Sequence, residues 1–541
     1  MKIALLNPLK FQEKLGKKNE IVSLTYLKEF MKKYGYYIDI YDLEIENLLV
    51  ENEKIKSLAI NYDMIGISCY FPFIPIDLAF LLKKYNKKLY IFAGGPMASL
   101  TYSEILYKDS PIDSVIVNEG EWSLLELVKR YERNEEIKDI CGVASYVNGK
   151  VEFRVRKFEK DIDKFPFPIR KRGHYNRYIP TVISSRGCNG KCMFCSTRYT
   201  GSWRGRSPEN VIEEIKHIVY DHNELHFQFV EPNFLNDGER AIKIANLISK
   251  LDEKVTFDFG CRIDSIIKYP EAIKSLKRAG AIKVLLGVES FCDNILEAWK
   301  KEITCEEIKQ AIQILKDNEL AYSISLIMFY PETTIEELIN NVKQIESLDS
   351  VNYVERLFNT LLLIPGTKLN ITSKEVKWDF RDDKVKEIHD KCIEYANILN
   401  NKCNDFKYVF EDRELISKRF QEIVVKNSRL KFEQFNYLKK LLGMEVYDYN
   451  ITYKSKFIKN KRMELVEMEI GAECIVYETG LVYRIDKVAL EILNEFSDKS
   501  IIEVGKDIQN SYENNEYYLQ VILNNICILL RNKIFLIEEE V

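Results

Sequence analysis

No run of about 18 consecutive apolar residues occurs in the 541-residue sequence, so no segment reads as a membrane-spanning helix. The opening run Met1-Lys2-Ile3-Ala4-Leu5-Leu6-Asn7-Pro8 breaks at Pro8 before a signal-peptide core can form, and a cytoplasmic location is expected. A basic surplus is also lacking. The 79 Lys and Arg stand against 83 Asp and Glu, for a net charge of −4, which argues against a nucleic-acid polyanion as the main partner. Histidine is scarce, 5 in all and none in residues 1–150. The 12 cysteines are scattered apart from one triplet, which suits a reducing compartment better than a disulfide framework. With 46% hydrophobic and 30% charged residues, the chain has material for buried sheets and solvated helices in about three domains.

The triplet is Cys188, Cys192 and Cys195, in the run Ser185-Arg186-Gly187-Cys188-Asn189-Gly190-Lys191-Cys192-Met193-Phe194-Cys195 after the apolar Thr181-Val182-Ile183. Three thiolates on one tight C-x3-C-x2-C loop can hold three irons of a [4Fe–4S] cluster and leave the fourth open to a cosubstrate. A structural zinc site is the other reading, but the second Cys or His pair that zinc knuckles place downstream does not follow at that spacing. The run resembles the signature of radical S-adenosylmethionine (SAM) enzymes. That resemblance implies a cosubstrate chelated to the open iron by its amino and carboxylate groups, and one-electron cleavage to a hydrogen-abstracting 5′-deoxyadenosyl radical. It also implies that Phe194 packs against the adenine.

Upstream, a strand at residues 2–7, a helix at 21–34, strands at 37–41 and 64–69, a helix at 76–85 and a strand at 89–92 imply a doubly wound parallel sheet with its ligand crevice at the strands' carboxyl ends. The phrases Ile65-Gly66-Ile67-Ser68, Ala93-Gly94-Gly95-Pro96 and Val117-Asn118-Glu119-Gly120-Glu121 resemble the cobalamin-binding domain that precedes many radical SAM cores. With no histidine in residues 1–150, the D-x-H-x-x-G motif that supplies a lower axial ligand in cobalamin mutases is absent. Relatives without it either bind cobalamin with that face vacant or keep only the shell of the fold. Both alternatives stay open, and Gly94 and Gly95 suit a flat ligand as well as a tight turn.

From residue 180 to 366 the alternation restarts. Strands are expected at 224–230, 255–259, 283–286, 322–328 and 359–363, with helices starting near Pro208, Gly238, Pro270, Thr304 and Thr334. Such units imply an open (β/α)6 barrel with catalytic groups at strand ends. By resemblance, Glu231 lies near the cosubstrate amino group, Arg262 pairs with its carboxylate or ribose, and Glu289 and Ser290 face ribose or methionine groups. Structural ion pairs are the alternative for Glu231, Arg262 and Glu289, and Ser207 reads as a helix cap. Leu363-Ile364-Pro365-Gly366-Thr367 resembles the phrase closing the barrel in cobalamin-type members.

Residues 371–465 read as a charged helical extension, with only Cys392 and Cys403 in place of the spaced cysteine pairs of an auxiliary-cluster domain. Residues 466–541 read as a hairpin turning at Glu478-Thr479-Gly480, three helices and a final strand near 534–537, together a small winged helix. Its phrase Tyr483-Arg484-Ile485-Asp486-Lys487-Val488-Ala489-Leu490 resembles the peptide-recognition element related to the pyrroloquinoline-quinone biosynthesis chaperone. Glu503 and Asp507 against Lys506 disfavour DNA as its ligand.

The expected architecture is therefore α/β: a Rossmann-like cobalamin-binding-type domain (1–150), a radical SAM barrel (175–370), the helical extension (371–465) and the winged helix (466–541). The expected cofactors are a [4Fe–4S] cluster and SAM, with cobalamin open. The expected partners are a precursor peptide and a flavodoxin- or ferredoxin-type electron donor, with no membrane. The expected function is radical modification of a ribosomally made peptide, C-methylation if cobalamin binds. Epimerisation or cross-linking follows if it does not, with Cys261, Cys292, Cys305, Cys392 and Cys403 as candidate hydrogen donors. RNA methylthiolation is the less favoured reading, since it would need a basic RNA-binding appendage and usually another cluster, both poorly supported by the sequence.

Overall fold

The computed structural model describes residues 1–9, 18–19, 22–44, 52–70, 74–168, 170, 178–348, 350–364, 367–369, 379–404, 430–446, 456–459, 463–468, 471–476, 481–486 and 535–538, with a few single positions between 494 and 504. It divides into two compact units, one of Met1–Val255, Trp299–Lys301 and Leu362–Lys377, the other of Thr256–Ala298, Glu302–Leu361 and Trp378–Val541.

The first unit opens with a seven-stranded sheet. Its elements are β1 (Ile3–Leu9), α1 (Val22–Lys33), β2 (Ile38–Glu44), α2 (Asn52–Asn61), β3 (Met64–Ser68), α3 (Ile76–Tyr85), β4 (Tyr90–Gly94), α4 (Pro96–Ile105), β5 (Ser114–Ile116), α5 (Glu121–Glu132), β6 (Val143–Val147) and β7 (Lys150–Phe153). The strand order is β2-β1-β3-β4-β5-β6-β7, parallel through β5 and antiparallel at the β6–β7 edge. Alternate residues of the central strands feed two cores, Ala4, Leu6, Ile65 and Ile91 on one face and Ile3, Leu5, Met64 and Phe92 on the other. Burial on both faces makes these strands read as continuous apolar runs.

Helices α2, α4 and α5 and strands β5, β6 and β7 go beyond the sequence expectations. In α2 the buried stripe is only Ile55, Leu58 and Ala59 between charged residues, a faint helical period. The β6–β7 hairpin did carry a signal, Asn148-Gly149, both at left-handed φ (49° and 85°), the pair a tight two-residue turn favours.

Next come β8 (Thr181–Val182), the antiparallel ribbon of β9 (Ser185–Arg186) and β10 (Arg204–Gly205), α6 (Pro208–Lys216), β11 (His226–Phe229) parallel to β8, and α7 (Gly238–Ile248). Ser207 caps α6, its Oγ accepting from the Asn210 N–H at 3.2 Å.

In the second unit β12 (Thr256–Cys261), β13 (Ala281–Glu289) and β14 (Ala321–Leu326) are parallel and joined through helices. Thr304 and Thr334 each close a capping box, with Glu307 and Glu337, fixing two of the expected helix starts. The strand expected at 359–363 is instead irregular, with one bridge from Thr360 to Phe329. The Asn359 side chain donates to the Leu326 carbonyl at 2.9 Å, taking a place that a regular ladder would give to backbone.

Beyond lie α8 (Asp383–Asn404) and α9 (Leu430–Leu441). The reading of 371–465 as helical is corrected at its end, where Lys456–Lys459 and the start of Met463–Met468 are strands. Charge density suggested a solvated helix there, but the apolar residues at Leu465-Val466 and Phe457-Ile458 fit short paired strands better. Met463–Met468, Gly471–Val476 and Leu481–Asp486 form an antiparallel meander that includes the expected hairpin, and Phe535–Glu538 pairs with Lys456–Lys459. The turn at 478–480 and nearly all of the three expected C-terminal helices lie outside the described residues. Among the described residues no helix is long and apolar enough to cross a membrane.

Candidate active site

The β9–β10 ribbon closes the loop that carries the cysteine triplet. Gly187 starts that loop at φ 79°, and a Cβ there would sit 2.4 Å from the Ser202 carbonyl oxygen and 2.6 Å from that of Gly201. Both neighbours are backbone and cannot swing aside. Gly187→Ala is therefore expected to open the ribbon and lower iron uptake, read as a fall from about four irons per chain after reconstitution. Full iron loading of that variant would show that the ribbon does not shape the loop.

Cys192 is buried, while Cys188 and Cys195 are partly exposed. The Gly190 N–H donates to Cys188 Sγ at 3.3 Å and the Thr197 N–H to Cys195 Sγ at 3.4 Å. Hydrogen-bond donors aimed at sulfur tune a bound cluster, so the loop fits an iron–sulfur group. Behind it, the Met193 N–H donates to the Trp299 carbonyl at 2.9 Å. Phe194 rests edge-on against Trp299, with ring centroids 5.6 Å apart.

A cavity of about 600 Å³ lies at the carboxyl ends of β1, β3, β4 and β5. Its wall includes Leu5, Ile67, Phe92 and Ile116 from the sheet, Gly94 and Gly95, Asn118–Glu121, Gly187, Ser196 and Thr197 of the cysteine loop, and Glu231. This is where an open α/β sheet places its ligand. A Cβ on Gly94 would meet nothing closer than 3.9 Å, so the bare backbone there leaves room for a flat group. Gly95 instead serves the turn. At φ 97° it lies so close to Cys69 that a Cβ would be 2.8 Å from the Cys69 carbonyl oxygen. The apolar wall with its glycine opening fits a corrin, and no protein imidazole is available to it from residues 1–150.

Glu231 follows β11 and is buried. Its Oε1 accepts from Ser184 Oγ, whereas its Oε2 is buried with no hydrogen-bond partner among the described residues. Burial pushes its carboxyl pKa up, against the opposing bond from Ser184 and the positive charge of Arg240. An unmatched buried acceptor on a cavity wall fits a ligand's ammonium group. Arg240 braces the arrangement, with Nε donating to the Arg206 carbonyl at 2.7 Å and Nη2 donating to the Ser184 carbonyl.

The other expected residues lie in the second unit. Arg262 caps no helix with its side chain and pairs with Asp264, Nε to Oδ1 at 2.9 Å. Glu289 sits at φ 70° beside a register shift in the β13–β14 ladder, and Ser325 Oγ donates to its Oε2 at 3.5 Å. A non-glycine residue in that backbone state at a strand end carries strain of the kind that clusters at working sites. Ser290 Oγ accepts from the Cys292 N–H at 3.1 Å, a local turn. Cys261 and Cys392 are fully packed, and burial pushes the Cys392 thiol up to about 12. Cys403 lies in α8, and its side chain is outside the described residues.

Sequence reasoning gave no role to Tyr26, Tyr70, Glu119 or Arg186, all on the cavity wall. One signal lay in Asn118-Glu119-Gly120: Asn118 takes left-handed φ (70°), with its N–H donating to Ser99 Oγ at 2.9 Å.

A cysteine-loop domain joined to a strand-end ligand cavity defines a cluster enzyme with a second cofactor fold. Residues 182–345 match the Radical SAM superfamily and residues 14–128 the B12 binding domain. The protein is thus a radical SAM enzyme, using a [4Fe–4S] cluster and SAM and carrying a B12-binding domain. Its relatives include the uncharacterized methyltransferase PH0819 of Pyrococcus horikoshii, 28% identical over 389 residues (68% of this chain, 82% of the relative). The anaerobic magnesium-protoporphyrin IX monomethyl ester cyclase of Rubrivivax gelatinosus is 24% identical over 421 residues (73% and 75%). The fold is shared with the cobalamin-dependent SAM radical enzyme OxsB, solved with aqua-cobalamin and SAM bound, at TM-score 0.65 and 18% identity, covering 82% of this chain and 75% of that one.

Proposed function

We propose that this protein is a cobalamin-dependent radical SAM methyltransferase that methylates a carbon of a ribosomally made peptide. The observation that carries the reading is a cavity whose wall joins the B12-type sheet end to the cysteine loop and Glu231. When bound, the cluster with SAM supplies hydrogen abstraction and the corrin supplies methyl transfer. The chain's own part is placement. Cys188, Cys192 and Cys195 hold the cluster, Glu231 Oε2 takes the cosubstrate ammonium, and Gly94 admits a flat ring. The apolar residues Leu5, Ile67, Phe92 and Ile116 keep water from reactive species. A relative described as a methyltransferase supports the reaction class.

The peptide reading rests on the resemblance of residues 466–541 to a leader-binding unit and on the meander of residues 463–486, since an open strand edge can receive an extended peptide. A flavodoxin- or ferredoxin-type donor would supply the electron. Removal of residues 467–541 is expected to weaken binding of the full precursor peptide by about a hundredfold, because the tether no longer raises its local concentration. Uncoupled SAM cleavage should persist. Unchanged peptide affinity after that truncation would reject the peptide reading.

The reaction is tested by incubating cobalamin-loaded protein with methyl-deuterated SAM and a co-expressed neighbouring peptide. A gain of one labelled methyl group on carbon supports methylation. A relative described as a cyclase favours a second outcome, ring formation with no methyl gain.

A further inference from the structure

We propose that Glu119, gripped by Arg186 and Arg204, is a positioning residue that couples the two cofactor sites, so that filling the cysteine loop tightens cobalamin binding. The inference rests on the cobalamin reading of the cavity.

Arg186 and Arg204 face each other as cross-strand partners on the β9–β10 ribbon, one at each end of the cysteine loop. Both reach the same carboxylate. Arg186 Nη1 lies 3.2 Å from Glu119 Oε1, and Arg204 Nη1 lies 2.9 Å from Oε1 and 3.1 Å from Oε2. Arg186 also takes Glu121 Oε1 at 2.6 Å, so the turn between β5 and α5 is held at two points. The arginines are fixed in turn. Arg186 stacks over Phe165 with 4.7 Å to the ring centroid, while Arg204 donates to the Thr200 carbonyl at 2.7 Å and to the Glu159 carbonyl at 2.9 Å.

Thr200 belongs to the cysteine loop, and Asn118–Glu121 belongs to the cavity wall. A cluster that orders residues 188–200 therefore fixes Arg204 and, through it, Glu119. Without the cluster the loop would lose three anchors and the ribbon would loosen, leaving the half-buried Glu119 with its cations displaced, a costly state that the turn relieves by moving. Such a change would reshape the corrin wall. By linkage, the preference must run both ways.

The test measures hydroxocobalamin binding by equilibrium dialysis, in anaerobic cluster-loaded protein and in protein stripped of iron. The unmodified chain is expected to bind about 5-fold or more tightly when loaded. In Arg204→Met the ratio should fall to about one. Arg204 is not on the cavity wall, so this change removes no direct corrin contact. Glu119→Gln, which keeps the shape, should give the same collapse and stands in if the arginine variant fails to fold. A ratio of one in the unmodified protein, or an intact ratio in both variants with only a lowered melting temperature, overturns the proposal and leaves a merely structural ion pair. No cobalamin binding in either state of the unmodified protein overturns the cavity reading itself.

Discussion

Cys192→Ala is expected to abolish reductive cleavage of SAM, with 5′-deoxyadenosine formation under dithionite falling below detection. Cys192 is the middle cysteine of the triplet and the most buried, 8% exposed, and its carbonyl accepts from the Cys195 N–H at 3.4 Å. Alanine leaves two thiolates for a cubane that needs three and admits water to the third iron. Losing a hydrogen-bond partner of a metal ligand typically costs 10–100-fold, so losing the ligand itself should exceed about a hundredfold. Iron content and the charge-transfer absorbance should fall together with the product. Undiminished 5′-deoxyadenosine would refute the cluster assignment, and with it every role given to Glu231 and to the cavity.

A comparably large effect on stability is expected at Glu214, which lies behind the cavity-wall residue Tyr26. Its carboxylate is fully buried among three partners. Tyr26 Oη of α1 donates to Oε2 at 3.1 Å, Arg170 Nη1 donates to Oε1 at 3.0 Å, and Arg206 Nη1 donates to Oε2. Arg206 Nη1 also reaches Tyr26 Oη at 3.1 Å, which closes the network. This junction ties the first helix of the B12-binding domain to the first helix of the radical SAM domain. Glu214→Ala would remove the buried carboxylate that both guanidinium groups share, a loss of about 3–5 kcal/mol. For a unit of this size that is a fall of roughly 10 °C in the melting temperature of its transition. Glu214→Gln should lose less, since one amide oxygen still accepts. A change below about 2 °C for the alanine variant would mean that water or rearrangement satisfies the arginines, contrary to the burial observed.

Legibility differed by the range of the interaction involved. The cysteine triplet was legible because its three members sit on one short loop. Helix starts at Pro208, Gly238, Pro270, Thr304 and Thr334 were readable because caps are local, and the structure supplies the bonds at Ser207, Asp237, Thr304 and Thr334. The strands of the first sheet were readable from apolar runs. Short strands were less so. Thr181–Val182 stands in the strand-like stretch read ahead of the cysteines, but Ser185–Arg186, of two residues, carried no such signal, and Asn359–Leu363 looked apolar enough to be a strand yet lacks a regular ladder. The C-terminal charge density hid Lys456–Lys459 in the same way.

The amino-acid order alone determined the cluster loop, the alternation of strand and helix, and the lack of an imidazole in the first 150 residues, since each depends on neighbours a few positions apart. Only the tertiary structure decided that Tyr26 meets Glu214, 188 residues away, that Arg204 meets Glu119, 85 residues away, and that Glu231 keeps a buried oxygen unmatched. Such meetings depend on how packed layers bring distant segments together, and no local pattern of residues encodes that distance.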